Sequence, residues 1–557
     1  MKNQFSPFNP PARFWKKSKF SIAQLITNGL LKSLVVVGSY YWVKKLASQI
    51  RNQQEINIMT IVYLLIAALL IIALRVHERY VSEKMSQSYI NSIRSSLLKR
   101  LMRASVRDIQ AKTIGNLSSR LAGDLSALKR WLSLGISRLI THSLLLALTT
   151  LLIFKVNVLL GMTILITIVA LVALSVYFGS FLKNSIKLVR RNRIAIHSLL
   201  VERLSSLAMI RAMGREGYEV ARINKQARKL EKNIAKQGVF LGLLRGIGDS
   251  SSLILISVFF VFNGLNNHIL ALDEITALIS IILFLNSPIR ELGRLQEYYQ
   301  GAKLSISKIQ ELYAIPRIVR GRSSLTTIEE DATSLGRIVF RDVNVRGIFS
   351  HLSVNAKKGD HIALTGANGS GKSTLIQLVL GLIKVDSGLV RINGNLPNKT
   401  SSQDRAAHIG YASAEAGLIR GNLFNNLTYR KAKDQIKGVD ELLSFCQLDG
   451  LVEKLPKGLN SKILESGKNL SSGEKARILL FRALLGAPAI LILDEPESYL
   501  DKQGLKIIKN LLADYKGTIV MATHNSELIK LCHKEWDIDM LKKNNSSVRL
   551  INDYAKR

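Results

Sequence analysis

In the first half of the chain the apolar residues gather in six long runs, near 22–43, 56–76, 138–155, 157–180, 240–262 and 270–289. Beyond residue 335 they come in short clusters instead, such as 361–365, 491–493 and 518–523, separated by amphipathic or polar stretches. Each long run holds roughly 18–25 residues, enough at about 1.5 Å per residue to cross a bilayer as a helix. The third is the shortest and carries Arg138 and His142. The gaps 77–137 and 181–239 keep helical patterning with few Gly or Pro, which predicts helices running on past the membrane. Residues 1–313 therefore read as a membrane domain, 314–335 as a polar linker without clear periodicity, and 336–557 as an α/β domain. Along the first span Gln24, Asn28 and Lys32 recur every four residues and form one stripe, and Arg245 and Asp249 repeat that spacing on the fifth. Two readings stay open: Lys32 and Asp249 border a transport path, or they form a structural ion pair while Arg245 snorkels to the surface.

Composition agrees with this division. At 557 residues the chain is too long for one compact core, and 47% hydrophobic content is high for a soluble enzyme. Lys and Arg total 78 against 40 Asp and Glu, a formal charge of +38. The excess crowds into loops beside the apolar runs, at Lys183, Lys187, Arg190, Arg191 and Arg193, then at Arg222, Lys225, Arg228, Lys229, Lys232 and Lys236. Such placement fits cytoplasmic loops against anionic lipid heads, and no nucleic acid partner is expected. Arg13, Lys16, Lys17 and Lys19 put the N-terminus in the cytoplasm, and 1–20 is too polar for a cleavable signal, so the first span should act as an anchor. Lys44, Lys45 and Arg51, in the first external loop, run against the positive-inside rule.

The chemistry is in the second domain. Gly366-Ala367-Asn368-Gly369-Ser370-Gly371-Lys372-Ser373 follows an apolar strand and leads, from Thr374, into an amphipathic helix. This is a phosphate-binding loop: backbone N–H groups and a helix N-terminus surround the phosphates, Lys372 reaches their oxygens and the Ser373 hydroxyl ligates Mg²⁺. Further on, Leu491-Ile492-Leu493-Asp494-Glu495 is a buried strand ending in two carboxylates. Asp494 is placed to hold Mg²⁺ and Glu495 to orient or deprotonate an attacking water. Leu470-Ser471-Ser472-Gly473-Glu474 opens another helix, and His524 follows the strand at 518–523.

Loop, signature, Asp-Glu strand and His in this order resemble the ATP-binding cassette family. Ser498-Tyr499-Leu500-Asp501 resembles its D-loop, and Glu465-Ser466-Gly467 the segment that meets the membrane domain in exporters. The resemblance extends upstream through Ile114 to Leu121 with Asp124, through Glu202 and Ile210 to Glu216, and through Pro288 and Lys308 to Leu312. It implies an exporter half-transporter: an α-helical six-span membrane domain with long cytoplasmic helix extensions, followed by an α/β P-loop ATP-binding cassette. It implies ATP and Mg²⁺ as cofactors, ATP hydrolysis with Glu495 as base and His524 on the γ-phosphate, and a bacterial inner membrane with the ATPase domain cytoplasmic. Two cassettes should pair head to tail, so that Ser471 and Gly473 of one cap the nucleotide on Gly366 to Thr374 of the other.

Several positions depart from the family pattern. Ala414 stands where the Q-loop glutamine belongs, Ser472 replaces a glycine and Glu474 a glutamine in the signature. No adenine-stacking aromatic occupies 343–349 unless Phe349 stands in beside Gly347. No internal repeat is visible, so the second half-transporter should be another chain, and the altered signature slightly favours a heterodimer over a homodimer. A membrane-anchored ATPase or regulatory subunit that does not transport is the rival reading. Cys446 and Cys532 lie far apart without metal-ligand spacing, Cys532-His533 reads as incidental, and no processing peptidase precedes the first span. The substrate, a small molecule, lipid or peptide, is not legible.

Overall fold

The computed structural model describes residues 12–110, 112, 114–265, 270–316, 335–397, 400–414, 416–429, 438–543 and 549–550. The chain divides into two compact units, 1–102 with 110–315, and 103–109 with 316–557.

The first unit is helical. Six helical stretches among the described residues are long and apolar enough to span a membrane: Ser18–Arg51, Ile58–Leu101, Arg120–Val156, Val158–Ser205, Glu216–Gly264 and Leu272–Ala314. The helix Val158–Ser205 has 48 residues, about 70 Å at 1.5 Å per residue, so more than half of it lies beyond an apolar core of about 30 Å. The third stretch adds a detail to its sequence reading. The straight helix Ser137–Val156 matches the apolar run, but helical structure continues back to Arg120 through two π-helical segments, Arg120–Asp124 and Trp131–Ile136. Each π turn carries an extra residue and shifts the phase of the buried face, so no single 3.6 period runs through the segment.

Lys32 and Asp249 do not pair with each other, so the structural ion pair offered by the sequence is replaced by two others. Lys32 Nζ is 3.6 Å from Glu78 of the second helix. Asp249 instead meets Arg290 of the sixth at 3.2 Å. Asp249 reaches that partner because Gly248 lets the two backbones close up: a Cβ there would fall 2.7 Å from Arg290 Cα. The external basic residues are paired too. Arg51 is 2.8 Å from Asp273 and Lys44 bonds Glu274, both in the first turn of the sixth span, so much of the charge that ran against the positive-inside rule is neutralised.

The second unit is an α/β domain. A six-stranded sheet has the order β11-β10-β3-β9-β8-β5, built from β3 (His361–Thr365), β5 (Ile409–Ser413), β8 (Ile490–Asp494), β9 (Thr518–Ala522), β10 (Lys534–Asp537) and β11 (Arg549–Leu550). All neighbours are parallel except β10 and β11. Strands buried on both faces need apolar residues at successive positions, and β8 has them. Ile490 and Ile492 face one cluster while Leu491 and Leu493 face the other. An antiparallel sheet of β1 (Ile338–Val345), β2 (Phe349–Ala356) and β4 (Ser387–Ile392) lies in order β2-β1-β4, and β6 (Gly421–Asn422) pairs with β7 (Lys462–Ile463).

Candidate functional site

The site is assembled at the C-terminal ends of the parallel strands. β3 runs fully buried into the loop 366–371, and helix Lys372–Val379 begins at once. Gly371 has φ 114°, and a Cβ on it would lie 2.8 Å from Ile348 and 2.9 Å from the Phe349 ring. Gly366, at φ 134°, has a Cβ position 2.9 Å from Ser370 Oγ. Only glycine fits either turn. Ala367, Asn368, Gly369 and Ser373 face solvent, and Thr374 is half-buried. Ala367 N–H donates to Asp539 Oδ2 at 2.6 Å, which ties down the start of the loop. Ser370 Oγ is buried with no partner among the described residues. A cradle closed to a Cβ at Gly366 and Gly371, with an orphaned hydroxyl in its wall, fits an oxyanion ligand.

Lys372 is buried and donates to Gly366 C=O at 2.7 Å, and its Nζ lies 2.9 Å from His524 Nε2. His524 is fixed in turn. Its N–H donates to Glu497 Oε1 at 2.8 Å, and the Thr523 hydroxyl donates to the same oxygen at 2.7 Å. Asp494 ends β8 in register with Ser413 and Ala522, and the Tyr411 hydroxyl donates to its Oδ2 at 3.5 Å. Glu495 follows in a left-handed conformation, φ 49°, with its N–H on Ala522 C=O at 2.8 Å. This strained turn lifts the carboxylate off the strand line. Ser373 hydroxyl and Asp494 carboxylate are hard oxygen donors that suit Mg²⁺. The group, when bound, would neutralise phosphate charge; the chain's own part is to hold these oxygens, with Lys372 and His524 beside them.

Ser471 stands apart from the phosphate loop, as the N-cap of helix Ser472–Leu484. Its hydroxyl accepts from Glu474 N–H at 3.2 Å while Glu474 Oε2 accepts from Ser471 N–H at 2.8 Å, a reciprocal capping box. Glu474 thus has a local structural task. Gly473 packs against Asp501, whose oxygen would be 3.1 Å from an added Cβ and which caps the next helix through Gly504 N–H. Phe349 cannot serve as an exposed stacking face: it is 3% exposed, packed in the core beside Gly371. Ala414 is exposed. Sequence reasoning missed Glu497, Tyr411 and Asp539. A carboxylate two places after Glu495 was the available signal for Glu497. The other two act through long-range pairing.

These parts define a nucleotide-binding cassette on a polytopic membrane chain, and the comparisons agree. Residues 20–289 match the model described as ABC transporter transmembrane region, and 349–498 the model described as ABC transporter. The chain belongs to the ABC transporters, as an exporter half-transporter with membrane and ATPase parts fused in one polypeptide. It is an integral multi-pass membrane protein that couples ATP hydrolysis to transport. It is similar to the lactococcin-A transport/processing ATP-binding protein of Lactococcus lactis subsp. lactis, 22% identical over 93% of this chain and 73% of the relative. The ATP-dependent lipid A-core flippase of Desulfotalea psychrophila is 25% identical over 88% and 87%. A bacterial Atm1-family ABC exporter solved with ATP bound shares the fold, with TM-score 0.82, 17% identity and coverage of 97% and 98%.

Proposed function

We propose that this chain is one half of a dimeric exporter in a bacterial inner membrane, with its ATPase unit in the cytoplasm. The observation that carries the reading is the placement of Lys372, His524, Asp494 and Glu495 at the C-terminal ends of the adjacent strands β3, β9 and β8 in a chain with six apolar spans. In this reading ATP lies on Gly366 to Thr374, Lys372 draws negative charge from its phosphates, and Ser373 with Asp494 holds Mg²⁺. Glu495 takes the proton of the attacking water. His524, held by Glu497, bonds the γ-phosphate, and the signature residues Ser471 and Gly473 close the site of the partner subunit.

The rival, a regulatory subunit that does not transport, is favoured by one feature, the Ala414 methyl where a glutamine amide would reach the metal and water. The test is ATP-dependent uptake into inverted vesicles made with the wild-type complex and with Glu495→Gln. Uptake that vanishes in the variant supports export. ATPase activity without uptake of any compound co-purified from the native membrane supports the regulator. Heterodimer and homodimer are separated by a prediction below.

A further inference from the structure

The helices of the membrane unit enclose a polar cavity of about 150 Å³ whose lining includes Lys32, Arg75, Glu78, Arg79, Arg138 and Glu291. Its charges do not balance. Glu78 takes Lys32 at 3.6 Å, and Glu291 takes both Arg138 and, at 3.6 Å, Arg294. Glu83 is shared between Arg79 at 2.7 Å and Lys129 at 2.9 Å. Of the residues that line the cavity, four cations, Lys32, Arg75, Arg79 and Arg138, thus meet two carboxylates, Glu78 and Glu291. Arg75 has no ion-pair or hydrogen-bond partner among the described residues.

Arg75 is exposed at the end of an apolar span with no carboxylate of the chain on it, so its guanidinium is open to an anion from outside the chain. Arginine forks match planar or tetrahedral oxyanions through paired N–H donors. Size narrows the ligand further. About 150 Å³ admits a phosphate or carboxylate with a few waters, whereas a drug-sized ligand needs about 300 Å³ or more. The rest of the molecule must lie outside the cavity. Arg75 and Arg79 also line an adjoining open groove with Ile72, Val76 and Tyr80, an apolar wall next to the cationic mouth.

We propose that the Lys32, Arg75, Arg79 and Arg138 cavity binds the oxyanion of an anionic amphiphile, which makes anionic amphiphiles the substrate class of this exporter. The proposal rests on the exporter reading for the word substrate, and on the cavity alone for the word binds.

The full chain, reconstituted in phosphatidylcholine vesicles, is titrated with phosphatidic acid while two signals are read: the unfolding midpoint without nucleotide, and the ATPase rate. Both should rise saturably. Arg75→Gln, a change at an exposed position, should raise the half-saturating concentration about tenfold. Arg75→Lys should recover part of the loss, and Arg222→Gln, far along the chain on an exposed face, should titrate as wild type. Phenyl phosphate then replaces the lipid: an equal shift assigns a water-soluble oxyanion and no shift assigns a lipid headgroup. Absence of any midpoint shift with either probe, or identical titrations of wild type and Arg75→Gln, overturns the site. A midpoint shift that depends on Arg75, in a protein without ATPase response, keeps the site and removes the substrate assignment.

Discussion

Lys372 Nζ and His524 Nε2 sit 2.9 Å apart, the one direct link between the phosphate loop and the turn after β9 that the side chains of the site make with each other. An ammonium has no lone pair, so in this pair Lys372 donates and Nε2 accepts. A phosphate entering between them takes Lys372 as a donor directly, and takes His524 as a donor once a change of tautomer places the ring proton on Nε2. His524→Ala should therefore leave ATP binding within a few-fold of wild type while lowering kcat about 10²-fold, the cost of losing one preorganised donor. Nucleotide-binding titrations beside steady-state ATPase assays check it.

Glu495→Gln keeps the shape of the left-handed turn after β8 and removes the base. ATP should still bind, and turnover should fall by at least about 10²-fold. Hydrolysis near the wild-type rate would remove Glu495 from the proposed role.

Glu497 acts through its neighbours. Alanine there strips the acceptor from the Thr523 hydroxyl and from His524 N–H, so kcat should drop about tenfold with KM little changed. Glu497→Gln retains an oxygen at the same place and should recover most of the rate. Equal loss in both variants would show that the charge matters and the clamp does not.

His361 supplies a pH dependence. Burial and the stacked His533 ring, 4.6 Å away, push its pKa below the ordinary imidazole value. A depressed folded-state pKa means that stability is fully present above about pH 6.5 and falls as the pH drops toward the folded value. The unfolding midpoint of the cassette, followed by intrinsic tryptophan fluorescence with buried Trp536 as reporter, should fall as the pH drops below about 6.5. His361→Gln should flatten that limb, and an unchanged slope would exclude His361 as its source.

The subunit question has a direct test. Ser471→Arg puts a bulky cation at the N-cap where the partner's nucleotide is proposed to bind. Introduced into this chain within the purified complex, it should spare much of the ATPase activity if the partner is a different chain. In a homodimer both sites receive it, and activity should collapse as with Glu495→Gln.

Much of this protein is legible because its determinants are local. The phosphate loop is eight consecutive residues, two of whose glycines, Gly366 and Gly371, have no room for a Cβ, and the spans are continuous apolar runs. What escaped depends on which element lies beside which. Periodicity placed Lys32 and Asp249 on helix faces but could not choose Glu78 and Arg290 as their partners, a choice made by packing and by Gly248. The helical patterning of 77–137 already predicted helix back to Arg120, but its two π-helical turns were not legible, because a period count cannot place single extra residues. Phe349 looked available in sequence and is buried, because the antiparallel sheet and the phosphate loop both pack on it.

The two cysteines of the chain bear on how its motions can be observed. Cys446 and Cys532 are free, buried thiols whose pKa values are pushed up to about 12 by burial. At neutral pH the reactive thiolate is then only about one part in 10⁵. The wild-type background to maleimide or spin-label chemistry should be close to silent. One cysteine placed on an exposed helix face would be the only site that reacts, and distances during turnover become measurable without first stripping the native sequence of sulfur.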